Sequence, residues 1–134
     1  MAMQISDWLA DQMLNAALRG IPFDPPDKIF LALYTSDPTI ADTGTEVSGG
    51  SYSRQEITFG EPSTVSGKRT VVSSDDVEFP IATADWGLVS HVGLRDAASG
   101  GHLLWSNALS SSRSIQLGDR PKFLAASTTI AFAQ

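Results

Sequence analysis

The sequence predicts a mainly β protein, an antiparallel β-sandwich of jelly-roll-like form with one N-terminal α-helix packed against it. Three observations lead there. Apolar and polar residues alternate with a period of two through many short stretches, as strands require. Clusters of Gly, Pro, Asp and Ser separate those stretches. Helical spacing is confined to the region before Gly20, where Leu9, Met13, Ala16 and Ala17 recur on one face and Trp8 and Leu18 widen it.

The chain is organised around Trp86 to Leu109, WGLVSHVGLRDAASGGHLLWSNAL. In the first arm strict alternation places Leu88, Ser90, Val92 and Leu94 on one face and Val89, His91, Gly93 and Arg95 on the other. In the second, Leu103, Trp105, Asn107 and Leu109 alternate with His102, Leu104, Ser106 and Ala108. Asp96 to Gly101 is turn chemistry, so residues 88–95 and 102–109 form an antiparallel hairpin.

In chain order, Ser6 caps a helix over about 6–19, with Asp7 in its first turn and Arg19 and Gly20 as stops. Pro22, Pro25 and Pro26 make residues 21–27 an extended connector. KIFLALYT (28–35) is apolar on both faces and reads as a strand covered on both sides, by the N-terminal helix on one of them. Residues 36–51 form a long loop. Residues 52–59 alternate with Ile57 and Phe59 inward and Arg54 and Glu56 outward, 61–68 is loop with a Ser66-Gly67-Lys68 turn, and 70–72 is a weak strand. Val77, Phe79 and Ile81 alternate across Pro80 as an edge strand. Residues 112–117 make a short strand, 118–121 a turn, and 127–133 a last strand with Thr128, Ile130 and Phe132 on one face.

The 134 residues suit one structural domain, the helix over 1–20 and the sandwich over 28–134. With no cysteine there is no disulfide, thiolate nucleophile or Cys-ligated zinc. A net charge of −6 argues against a partner held through nucleic-acid phosphates. Asp7, Asp11 and Gln12 interrupt any signal-peptide core, and no apolar run approaches membrane-spanning length.

The chemical candidates are weak. His91 and His102 could approach each other across the hairpin, but a catalytic zinc usually needs three protein ligands. Asp37, Asp42 and Glu46 share a loop without EF-hand spacing, so the loop reads as solvated and acidic. GEPSTVSGKRT (60–70) misses the P-loop spacing and has Arg69 where that motif has Ser or Thr. No G-x-S-x-G elbow is present, and neither Asp11 with Glu46 nor Asp75 with Asp76 is placed across a cleft. Trp8, Trp86 and Trp105 read as core aromatics before a sugar platform. No catalytic, metal or cofactor-binding residue emerges. Pro38, Ile40, Val47, Gly49 and Gly50 mark 36–51 as a candidate assembly loop, with a mobile surface loop as the alternative.

Several longer pieces recur in order: ALYTSDPT, SGGSYSRQ, FPIATADWG and AASGGHLLWSNAL, closed by GDRPKFLAASTTIAF. On these the chain resembles a family of small bacteriophage virion proteins usually labelled phage tail fibre proteins, from about Ser6 to Phe132. The resemblance implies a non-enzymatic virion structural protein without cofactor, made in the host cytoplasm and built into the tail as a fibre, adaptor or tip component. It would act by self-association as a homo-oligomer and by contact with other phage virion proteins, without nucleic-acid or membrane partners. A capsid decoration (cement) protein, or a carbohydrate- or host-receptor-binding module on the particle surface, fits its size as well.

Overall fold

A sheet with an inner strand that is apolar on both faces needs a cover on each, and the fold is arranged to supply both. The computed structural model describes residues 3–132. The elements are β1 (Gln4–Ile5), α1 (Asp7–Arg19), β2 (Ile29–Tyr34), β3 (Gln55–Ile57), β4 (Ser63–Val65) and β5 (Lys68–Val72), then β6 (Val77–Glu78), β7 (Gly87–Arg95), β8 (Leu103–Ile115), β9 (Lys122–Phe123) and β10 (Thr129–Ala131). A five-stranded sheet runs β1-β8-β7-β2-β3, a three-stranded sheet β10-β5-β4, and β6 pairs with β9. All pairings are antiparallel and the packing is sandwich-like, as expected.

The hairpin holds as the centre: β7 pairs with β8 on one side and with β2 on the other. Its faces differ from strict alternation. The register shifts between Val89 and His91, because Val89 lies opposite Arg113 whereas His91 lies opposite Ala108. Ser90 on β7 thus faces four residues of β8, Leu109 to Ser112, a bulge that interrupts regular pairing and local alternation. Val89 is therefore 2% exposed and packs with Val92 and Leu94, while Leu88 is 56% exposed. A second shift lies between Leu94 and Arg95, and adjacent Leu103 and Leu104, on opposite faces of β8, are buried in different clusters. The expected separate strand over 112–117 is the end of β8, and Leu117 lies beyond it.

Leu31 and Leu33 face the larger core, which also holds Leu9, Val77, Phe79, Trp86 and Leu104. Ala32 and Tyr34 face the other way, against Leu103. Gly93 lies under these side chains: a Cβ there would meet Leu103 Cδ1 at 2.8 Å and a Tyr34 ring carbon at 2.9 Å.

Ser6 caps α1 by accepting the Leu9 N–H at 3.2 Å and donates its hydroxyl to the Leu103 carbonyl at 2.6 Å. The helix packs mainly against β8, which corrects the expectation that it covers β2. Only Leu9 in it is buried; Trp8 and Met13 are half-buried, and Ala16 and Ala17, expected in the packed face, are exposed. Residues 61–68, expected as loop, include β4 and a tight turn with Ser66 at φ 50° and Gly67 at φ 78°. Two successive positive φ values match the twist of a two-residue hairpin. The edge strand expected through Ile81 stops at Glu78; Ile81 is 51% exposed. The last strand is shorter than expected, with Thr128 buried and Phe132 exposed; Ala133 lies outside the described residues.

The bulge makes a checkable contrast. Val89→Ala should lose about 1.5 kcal/mol, two methyl-sized groups at roughly 0.8 each. Leu88→Ala should stay within about 0.5 kcal/mol. Urea unfolding of the two variants reads the difference directly; strict alternation demands the reverse order.

Candidate functional site

The second face of β2 is closed by the loop over residues 36–51, which is a folded structure in its own right. Its ends pair through Thr35 N–H to the Thr45 carbonyl and Val47 N–H to the Leu33 carbonyl, both 2.9 Å. Thr43 N–H donates to the Pro38 carbonyl at 2.6 Å, and Thr45 N–H to Ser36 Oγ at 2.8 Å. The crest reaches the helix, where the Ile40 carbonyl accepts the Asp7 N–H at 2.9 Å. A compact surface loop whose ends meet and whose own side chains pack inside it is an Ω-loop.

Two arginines fasten this loop to the hairpin turn. Arg95 uses all five of its N–H donors: Nη1 donates to Tyr34 Oη at 2.9 Å and Asp42 Oδ1 at 2.8 Å, and Nη2 to Asp42 Oδ2 and the Gly101 carbonyl, both 3.0 Å. Nε donates to the Gly100 carbonyl at 3.2 Å. Asp42 reaches it from the left-handed region, φ 59°, which Asp tolerates better than most residues. Arg54 forms a two-pronged pair with Glu46, Nε to Oε2 at 2.8 Å and Nη2 to Oε1 at 2.7 Å. Its Nη1 donates to the carbonyls of Ala97 and Gly100 at 2.7 and 2.9 Å. The expectation that Arg54 points outward is thus corrected: its side chain is 7% exposed. A guanidinium is tolerated inside because its donors are matched by acceptors in fork geometry.

Tyr52 extends the network by accepting the Leu33 N–H at 3.0 Å and donating to Glu46 Oε2 at 2.6 Å. Burial pushes the Glu46 carboxyl up, but the hydrogen bonds from Arg54 and Tyr52 outweigh it and hold its pKa below the ordinary value. Burial and the neighbouring carboxylate push the Tyr52 phenol up, so it stays protonated. Arg95 is held more firmly charged, its partners Asp42 and Tyr34 overcoming desolvation. Each group is consumed by a partner, so the arrangement fixes loop position.

The residues singled out in the sequence fall into this frame as follows. Pro38 is buried within the loop, Val47 is buried in the larger core, and Ile40 is 40% exposed at the loop's crest. Gly49 is exposed; the Gly50 carbonyl accepts the Trp86 Nε1–H at 2.9 Å. Asp37, Asp42 and Glu46 do not converge: Asp42 and Glu46 serve different arginines, and Asp37 accepts the Thr39 N–H at 2.8 Å. Nor do the histidines meet. His91 Nδ1 lies 2.7 Å from Ser90 Oγ, whereas His102 stacks on Trp8 at 3.9 Å and lies 3.1 Å from Asp96 Oδ2. Among the described residues no ring contact joins any two of Trp8, Trp86 and Trp105. Sequence reasoning missed Tyr34, Tyr52, Arg54 and Arg95 as a unit; the available signal was two arginines and two acids in segments otherwise apolar or turn-like.

A β-rich structural module whose loops are locked into a fixed surface is the class these features define. The family model described as Podophage GP4 fiber I protein gp80 matches residues 4–131, and the chain belongs to that family of phage tail fibre proteins. A structural role in the phage tail follows from that membership. A search of curated proteins finds no match. Among the described residues no helix is long and apolar enough to cross a membrane.

Two outcomes test the clamp. Arg95→Met leaves the Tyr34 hydroxyl and Asp42 without their donor and should cost about 1.5–3 kcal/mol, the range for hydrogen bonds to charged groups. Amide exchange across 96–101 should rise with it. A carboxylate with a depressed folded pKa adds stability above its unfolded value, near 4.5 for Glu46, and that stability is lost as pH falls through the folded value. Glu46→Gln should therefore be less stable near neutral pH and lose less melting temperature on acidification from about pH 5 to about pH 3.

Proposed function

We propose that this chain is a non-enzymatic building block of the phage tail, one structural domain that acts by self-association and by contact with neighbouring particle proteins. The observation that carries the reading is the unpacked half of α1. Leu14 is 56% exposed and Leu18 77%, one turn apart on the same side, and Ile21 just beyond the helix end is 42% exposed. Apolar residues grouped on one surface mark interaction sites more often than singly scattered ones do. A second copy of the same chain is the occupant, since most soluble oligomers are symmetric homo-oligomers and an apolar stripe can serve as its own complement. The Ω-loop is the second contact. Ile40 offers its surface there, and Pro38, Val47, Gly49 and Gly50 set the path of the loop.

Leu14→Glu with Leu18→Glu is the test. Neither side chain is packed inside the chain, so thermal unfolding should change little. Light scattering at matched concentration should show loss of the oligomer. A monomeric wild-type chain, or an oligomer that survives both substitutions, removes the helix as the self-association surface.

A further inference from the structure

The longest strand has a stretch without a neighbour. β8 pairs with β7 at Ala108 and again at Arg113, and with β1 at Trp105 and Ser106. Among the described residues, Leu109, Ser110, Ser111 and Ser112, the bulged stretch of β8 that lies opposite Ser90 alone, have no register partner in either strand, and β1 reaches no further along β8 than Ser106. Unpaired backbone on a strand is a template for another chain, and edges are usually blunted with Lys, Pro or covering elements. Here the edge is three consecutive serines, whose small side chains leave the backbone accessible.

A groove of about 510 Å³ opens beside this stretch, within the roughly 300–1,000 Å³ range of ligand clefts. Val89, Ile115 and Phe123 contribute apolar walls, and Arg113, Arg120 and Lys122 supply positive charge against the single acid Asp119. Arg120 pairs with Glu78 at 2.8 Å and Lys122 with Asp76 at 3.5 Å, each pair about half exposed. Exposed pairs of this kind are worth little, so an incoming carboxylate can take their place. The Arg113 side chain has no hydrogen-bond or ion-pair partner among the described residues. This positive rim stands on a chain of net charge −6.

We infer that the groove between β8 and β9 receives an extended acidic peptide segment of a neighbouring virion protein. The segment adds to the unpaired part of β8 as a strand. Backbone pairing supplies affinity, and alternate side chains meet the apolar walls and the arginine rim. The inference rests on the reading of the chain as a particle component and names the chemistry of one contact.

The test uses the full chain and a capped synthetic pentapeptide alternating Asp and Val, with a Lys-for-Asp counterpart. The acidic peptide should bind saturably, shift amide resonances at 110–115 and 122–123, and slow exchange of the Ser110, Ser111 and Ser112 amides. Arg113→Glu should weaken it at least about tenfold, the scale of one lost charge-assisted contact. Arg113→Gln should weaken it less. Equal binding of the Lys peptide, binding without slowed exchange, or equal competition by a hexuronic acid oligosaccharide overturns the inference. In particles, reduced incorporation of the Arg113→Glu chain supports it. Normal incorporation of that variant overturns the groove contact and leaves the structural role standing, whereas absence of the wild-type chain from purified particles refutes the structural role itself.

Discussion

The Arg95 guanidinium, with its five acceptors, is the constraint on which the rest depends. β2 is apolar on both faces, and its second face is closed by a loop instead of a sheet or helix. A loop brings polar backbone into a covered place, where each group needs a partner. Arg95 and Arg54 provide donors for carbonyls of the hairpin turn and carboxylates of the Ω-loop together, and the Gly100 carbonyl accepts from both. Burying such charges costs desolvation that their attraction only partly repays, so pairs of this kind specify geometry more than they add stability. The Tyr34 hydroxyl sets where Arg95 ends, and Asp42 sets where the loop ends.

The legible parts of the fold were those written in local chemistry. Ser6, Asp7, Arg19 and Gly20 bound a helix whose ends match the expected ones, because capping is decided by neighbours in sequence. The hairpin was legible from its two apolar arms and its glycine-rich turn. The bulge was not: its extra residues, Leu109 to Ser112, lie on β8 opposite Ser90, and nothing local marks them as extra, because the irregularity shows only against the partner strand. β4 was missed because all three of its residues are exposed, so it has no apolar face to alternate. Arg54 was misplaced for a related reason. Charge alone favours solvent, and only the spatial convergence of Glu46, Ala97 and Gly100 turns it inward.

The candidate loop was legible as unusual from its length, while its role in the fold was not. Pro38 and Val47 look like adhesive apolar residues in a polar segment, yet both are buried within the chain, Val47 in the larger core. The α1 stripe was obscured in the opposite sense. Leu18 fits an amphipathic pattern, and a pattern assigns a face without saying whether anything occupies it.

These placements give the surface its character. The loop end is fixed by charged hydrogen bonds, so a partner that docks there meets groups already ordered, and the entropy cost of association falls accordingly. The apolar residues left exposed on α1 are few, and one such patch is a weak adhesive in solution. Repetition changes that balance, since contacts linked in a symmetric assembly act at high effective concentration and multiply without any new chemistry. A domain that is rigid where it presents loops and sparing where it exposes apolar surface can remain soluble as a single copy and hold firmly in an array. The proposed self-association through α1 is therefore compatible with an isolated patch too small to hold two copies tightly, because an array would supply the affinity that the patch lacks.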